Sequence, residues 1–158
     1  MGTEGVDKRI DVFATMIQMG GTVADLAEAE LCYAPQYGAA KDPINVAGMM
    51  ASNVLDGDMP LADWTQLDSG GALILDVREP AELNTGGDAI KGAFNIPLSR
   101  LRGRLPEVPR DRDVWIICAA GQRAYFAQRL MLQNGYRARN LSGGYQTYAA
   151  TREAHLVK

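Results

Sequence analysis

The sequence predicts an α/β domain built on a parallel sheet with helices on both faces, preceded by a short helical segment. Three observations point there. From residue 72 onward, short apolar runs alternate with helix-periodic stretches, the pattern of strand–helix repeats. The runs at residues 73–77 and 114–117 have the apolar character of strands covered on both faces. Residues 1–57 carry helix signals but no convincing strand pattern.

Taken in order, residues 6–19 place Ile10, Phe13, Ala14 and Ile17 at helical spacing, and Gly20-Gly21 stops the run. Thr22-Val-Ala-Asp25 matches a capping box and opens a helix to about Leu31. Residues 32–40 read as a loop. Asp42-Pro43 caps and starts a helix with Ile44, Ala47, Gly48, Ala51 and Leu55 on one face. Its small residues predict close packing or a dimer surface. The Gly/Pro-containing break at residues 56–60 sets a boundary, giving units 1–57 and 58–158. In the second unit, strands are predicted at 72–77, 93–96, 113–117 and 137–141. Helices are predicted after Pro80, from a Ser99 cap to about Leu105, at 122–134 and after Gly143-Gly144.

Charge divides at nearly the same place. Residues 1–63 hold three Lys/Arg against ten Asp/Glu, and residues 64–158 hold thirteen against nine. With a pI near 5.1 and dispersed basic residues, nucleic-acid binding is not expected. No apolar run nears membrane-spanning length, and no secretory signal pattern opens the sequence, so a cytoplasmic location is expected. Cys32 and Cys118 are too few for a disulfide framework or a four-ligand zinc site, and no metal is expected. The single histidine, His155, argues against Ser-His-Asp or Cys-His chemistry. No Gly-x-Gly occurs, so a dinucleotide fingerprint is lacking.

The chemistry concentrates in Cys118-Ala-Ala-Gly-Gln-Arg123. The cysteine ends a central-type strand, and a helix starts about four residues later. Ligands of open α/β sheets bind at the carboxyl ends of strands, where this loop falls. Ala119, Ala120 and Gly121 let the backbone curl so that its amides form an anion-binding nest. The helix N-terminus beyond Gln122 and the charge of Arg123 add positive potential. Each effect favours thiolate over thiol, so Cys118 reads as a nucleophile that needs no general base. Cys32 reads instead as a core residue.

Leu75-Asp-Val-Arg-Glu79, Lys91-Gly-Ala-Phe-Asn-Ile-Pro97, the Cys118–Arg123 loop and Asn140-Leu-Ser-Gly-Gly-Tyr145 together resemble the rhodanese family over about residues 59–150. The resemblance implies a rhodanese fold and a persulfide carried on Cys118. It implies that the amides of Ala119, Ala120, Gly121, Gln122 and Arg123, helped by the Arg123 charge, bind an anionic sulfur donor. Asp76 and Arg78, at the end of the first strand, read as an ion pair that supports the loop, with direct substrate contact as the alternative. Cysteine phosphatases place five residues between cysteine and arginine. Four stand here, a smaller cradle that suits a sulfane sulfur better than a phosphate ester. Two departures are visible: Asp88-Ala-Ile90 stands where many members have Gly-His-Ile, and Tyr148 where Trp is frequent. Arg100, Arg102 and Arg104 are read as a solvated face, with a basic rim that steers anions as the alternative.

Residues 5–55 carry a second resemblance. Cys32-Tyr-Ala-Pro-Gln-Tyr37 and Ala40-Lys-Asp-Pro-Ile-Asn45 are similar to the end of the dimerisation domain of coenzyme A-disulfide (or persulfide) reductases. In some members a rhodanese domain follows directly. The resemblance implies Tyr33 and Tyr37 as contacts for a coenzyme A-like thiol, with plain loop packing as the alternative. It implies a flavoprotein reductase or a second copy as partner. The FAD and NAD domains of those reductases are absent, so no cofactor is expected in this chain. The expected function is sulfur transfer from thiosulfate, polysulfide or a thiol persulfide to a thiol or cyanide. A non-catalytic assembly module of a reductase system is the alternative.

Overall fold

The computed structural model describes residues 5–36, 38–69, 71–83 and 89–156. Tyr37 and Asp88, both singled out above, lie outside the described residues. The chain divides into two compact units, Met1–Asp58 and Met59–Lys158.

The first unit contains three helices, α1 (Val6–Gln18), α2 (Val23–Glu28) and α3 (Pro43–Leu55). Thr22 and Asp25 form the reciprocal capping box that starts α2: Thr22 Oγ1 accepts from Asp25 N–H and Asp25 Oδ2 accepts from Thr22 N–H at 2.7 Å. The helix ends at Glu28, short of Leu31, because another helix caps it. Asn45 of α3 is buried and its Nδ2 donates to the carbonyls of Leu26, Ala27 and Ala29, the last at 2.8 Å. Asp42 caps α3 by accepting from Ile44 N–H at 3.0 Å and takes the Arg9 guanidinium at 2.8 Å. Gly48 packs on α2 within this unit, where an added Cβ would overlap the Ala27 amide nitrogen.

The apolar face expected of α1 is not covered: Ile10 and Ile17 are exposed, and none of its residues is buried. Leu55 is likewise 73% exposed, because α3 turns only its Ile44–Gly48 end towards α2. Cys32 is exposed, contrary to the core position expected, since the chain beyond α2 follows the surface.

In the second unit the strands β1 (Leu73–Asp76), β2 (Phe94–Asn95), β3 (Val114–Ile117) and β4 (Ala138–Asn140) form one parallel sheet in the order β2-β1-β3-β4. Its helices are α4 (Pro80–Leu83), α5 (Leu98–Arg104), α6 (Gln122–Gln133) and α7 (Gly144–Leu156). Side chains alternate across the pleat. Leu75, Val77, Val114 and Ile116 pack with Leu101 of α5 and Ala124, Ala127 and Met131 of α6. Trp115 and Ile117 face the other way and pack with Trp64, Leu67, Tyr145 and Tyr148. Both faces are therefore clothed, as the apolar runs required. Tyr148 stacks on Trp64 at 6.0 Å between ring centroids, so the aromatic role survives the departure from Trp.

Two local details differ from the sequence reading. A 3₁₀ turn, Trp64–Ser69, precedes β1 without a clear helix signal. Ser99 does not cap α5. Pro97 occupies the N-cap position, and Ser99 lies inside the helix, where its Oγ donates to Glu79 Oε1 at 3.0 Å.

Candidate active site

The strand order reverses between β1 and β3: β2 lies outside β1, and β4 lies outside β3. Such a switch point opens a crevice at the carboxyl ends of the two central strands. β1 delivers Asp76 and Arg78 to that edge, and β3 delivers Cys118.

Cys118 is 2% exposed. Its Sγ accepts the Gly121 N–H at 3.1 Å, so the loop closes on the sulfur within three residues. Gly121 takes φ of +106°, a value costly for any residue with a Cβ, and serves as the N-cap of α6. An added Cβ there would stand 3.3 Å from Gly143 N. The loop is also held from the far side. Tyr145 N–H donates to the Cys118 carbonyl at 2.8 Å and Gln146 N–H donates to the Ala119 carbonyl at 3.0 Å. Gly144, with φ of +61°, allows this approach, since an added Cβ would overlap the Cys118 carbonyl oxygen. In a trans peptide the C=O and N–H point oppositely. Binding the Cys118 and Ala119 carbonyls to α7 therefore turns the Ala119 and Ala120 amides away from α7. Gln122 and Arg123 open α6, where first-turn amides have no acceptor within the helix.

The charged residues are paired. Arg78 is buried and grips Asp76 through Nε and Nη2, the latter at 2.7 Å, while its guanidinium covers the Tyr145 ring at 4.6 Å. Arg123 donates Nη1 and Nη2 to the two oxygens of Glu82, each at 2.7 Å. The guanidinium of Arg123 holds the Glu82 carboxyl well below the usual range, at about 2, and Glu82 raises Arg123 in return. The Arg123 charge predicted for the anion site thus comes with its own counter-ion.

Sequence reasoning missed Glu82 and the backbone amides of Tyr145 and Gln146. Glu82 stands three residues after Glu79, whose N–H it accepts at 2.9 Å, and that spacing could have marked a cap. Its pairing with Arg123, 41 residues away, leaves no local signal.

The other named residues lie elsewhere. Tyr33 is half exposed in the first unit, beside a cavity of about 290 Å³ also lined by Cys32, Lys41 and Asn45. Arg104 pairs with Glu107, while Arg100 and Arg102 lie on the exposed side of α5. Among the described residues, no group of three His, Cys, Asp or Glu could hold a metal, and no helix is long and apolar enough to cross a membrane.

This arrangement, a cysteine at the switch point of a parallel sheet under a six-residue loop, agrees with the family match. The rhodanese-like domain family matches residues 63–151, and the chain belongs to that family. A sulfurtransferase of Allochromatium vinosum is 40% identical over 83 residues, covering 52% of this chain and 76% of that protein. A coenzyme A disulfide reductase of Staphylococcus epidermidis is 47% identical over 51 residues, 32% of this chain and 12% of that protein. Among solved structures, reduced CoADR-RHD of Bacillus anthracis superposes with a TM-score of 0.85 at 48% identity, over 92% of this chain and 26% of that one. An NAD-dependent persulfide reductase from A. fulgidus gives 0.77 at 37% identity, over 90% and 26%. The chain thus spans about a quarter of either structure.

Proposed function

We propose that this chain is a sulfurtransferase that carries sulfane sulfur as a persulfide on Cys118. The observation that supports it most is the recessed Cys118 Sγ, hydrogen-bonded by Gly121 N–H under the N-terminus of α6. The Cys118 thiolate attacks the outer sulfur of the donor. The sulfur–sulfur bond breaks with its electron pair on the leaving group, sulfite from thiosulfate or a thiolate from a thiol persulfide. Cys118 is left as Cys–S–S⁻. A thiolate or cyanide then attacks the outer sulfur, leaves as a persulfide or thiocyanate, and restores the Cys118 thiolate. No proton transfer or external oxidant enters either step. The backbone amides of residues 119–123 stabilise the negative charge that moves along the sulfur chain.

Mass spectrometry of the intact chain after treatment with thiosulfate or a persulfide tests the reading. A gain of one sulfur atom mapped to Cys118 is expected; no adduct with any donor overturns it.

The exposed Ile10, Ile17 and Leu55 of the first unit favour a partner for that unit, either a flavoprotein reductase or a second copy of this chain. Matches to reductases in the chain's relatives support the same reading. In it, Tyr33 and Tyr37 contact a coenzyme A-like thiol. Sedimentation at rising concentration, with and without such a reductase, should reveal association; a strict monomer under both conditions contradicts it.

A further inference from the structure

The pair between Arg123 and Glu82 does something that sulfur transfer alone does not require. Both guanidinium arms of Arg123 are spent on the two Glu82 oxygens at 2.7 Å, the bidentate geometry that an incoming oxyanion would otherwise occupy. Glu82 is held in place from its own side, because one of its oxygens also accepts Glu79 N–H at 2.9 Å. The second arginine at this edge, Arg78, is matched in the same way by buried Asp76. These four side chains bring no net charge to the neighbourhood of Cys118. What remains to hold an anion is the amide loop and the α6 N-terminus, equivalent to roughly half an elementary charge. That field suits one negative charge on the sulfur being transferred. It offers little against the repulsion that a doubly charged donor meets from the Cys118 thiolate.

We infer that Glu82 is a specificity-determining residue: by occupying Arg123 it disfavours doubly charged sulfur donors such as thiosulfate relative to singly charged thiol persulfides. The inference rests on the sulfur-transfer reading above. Glu82 keeps its charge throughout the neutral range, because Arg123 holds its carboxyl at about 2, so the selectivity does not relax as pH changes there.

The test compares single-turnover loading of Cys118 in the full chain by thiosulfate and by an alkyl persulfide bearing no other charge. Loading is read by intact mass. In Glu82→Gln the ratio of thiosulfate to persulfide loading rates should rise about tenfold, the order expected when the one charge of Arg123 is freed beside the loop. The gain should largely vanish at salt on the order of 1 M, where screening acts within about 3 Å. A ratio that stays constant or falls overturns the inference, including the case where both rates drop together because Glu82 merely braces Arg123. Should Glu82→Gln fail to fold, the double variant Glu82→Gln/Arg123→Met removes both charges of the pair and leaves the net charge beside Cys118 as it was. The ratio should then change less than about twofold, and a tenfold loss of thiosulfate loading would show that Arg123 serves the donor directly. Absence of any adduct in the unmodified chain with both donors is a different result: it removes the sulfur-transfer reading, and the selectivity with it.

Discussion

The two units solve the problem of staying folded by different means. In the second, a four-stranded sheet lies between two apolar layers, and buried side chains such as Leu75, Ile96, Ile116, Met131 and Leu141 do most of the holding. In the first, Ile44 is the buried large apolar side chain among the described residues. Its order rests on polar devices instead: Asn45 capping α2, Asp42 capping α3 and pairing with Arg9, and the close approach at Gly48. Hydrogen bonds of this sort each contribute on the order of 1 kcal/mol net. Burying a large apolar side chain contributes roughly 1.5–3 kcal/mol. A unit built chiefly on the former has little reserve, and its exposed Ile17 and Leu55 offer the apolar area that a partner would cover. The unit that carries Cys118 is the one with the larger apolar core.

That contrast can be broken or sharpened experimentally. The largest effect belongs to Cys118→Ser, which should lower sulfur transfer by more than about 1000-fold while the thermal melt of the chain stays in place. A melt that collapsed with it would mean that the thiol acts as core filler. Next comes Gly144→Ala, which places a Cβ against the Cys118 carbonyl at a φ of +61°. It should destabilise the second unit by about 2–4 kcal/mol in denaturant melts and slow Cys118 loading. Gly48→Ala pushes α2 from α3 in the first unit. A loss of about 2 kcal/mol is expected there, with Cys118 loading kept within about twofold if the second unit stands on its own packing.

The smallest effect is a pH dependence. Glu82 has its carboxyl lowered from 4.5 to about 2 in the folded chain, so the stabilisation is fully present above pH 4.5 and fades as pH falls towards 2. With its side chain 37% exposed, screening keeps the contribution below about 1 kcal/mol. Glu82→Gln should flatten the stability–pH curve of the second unit in that window. An unchanged slope would mean that the pair is too solvated to matter.

Much of the second unit was legible because its elements are announced locally. The apolar runs, Gly135 after α6 and the Cys-to-Arg spacing are all short-range signals. Caps were half legible. Thr22 and Asp42 act as their sequence context predicts, but Ser99 loses its cap role because α5 begins at Leu98, one residue earlier, and Ser99 lies inside it with its hydroxyl turned to Glu79. The end of α2 and the exposure of α1 depend on what packs against them, and no local pattern reports that. The same holds at the site. Cys118 and its loop could be read from sequence, yet the neutralisation of Arg123 is a contact made only when α4 and α6 come together in the fold.

The bonds from Tyr145 and Gln146 to the carbonyls of Cys118 and Ala119 have a bearing on where this domain can be cut. Every residue of the Cys118–Arg123 loop precedes β4, so a polypeptide ending at Leu141 would retain the whole motif and the whole sheet. It would lack the two amides that orient the loop peptides and the rings that cover Trp115 and Ile117. The loop's support therefore extends to a helix that contributes two main-chain N–H groups, together with the Tyr145 ring beneath Arg78. Divergence at the surface positions of α7 would leave those groups intact, whereas deletion of the helix would remove the support of a loop that begins 26 residues upstream of its first turn.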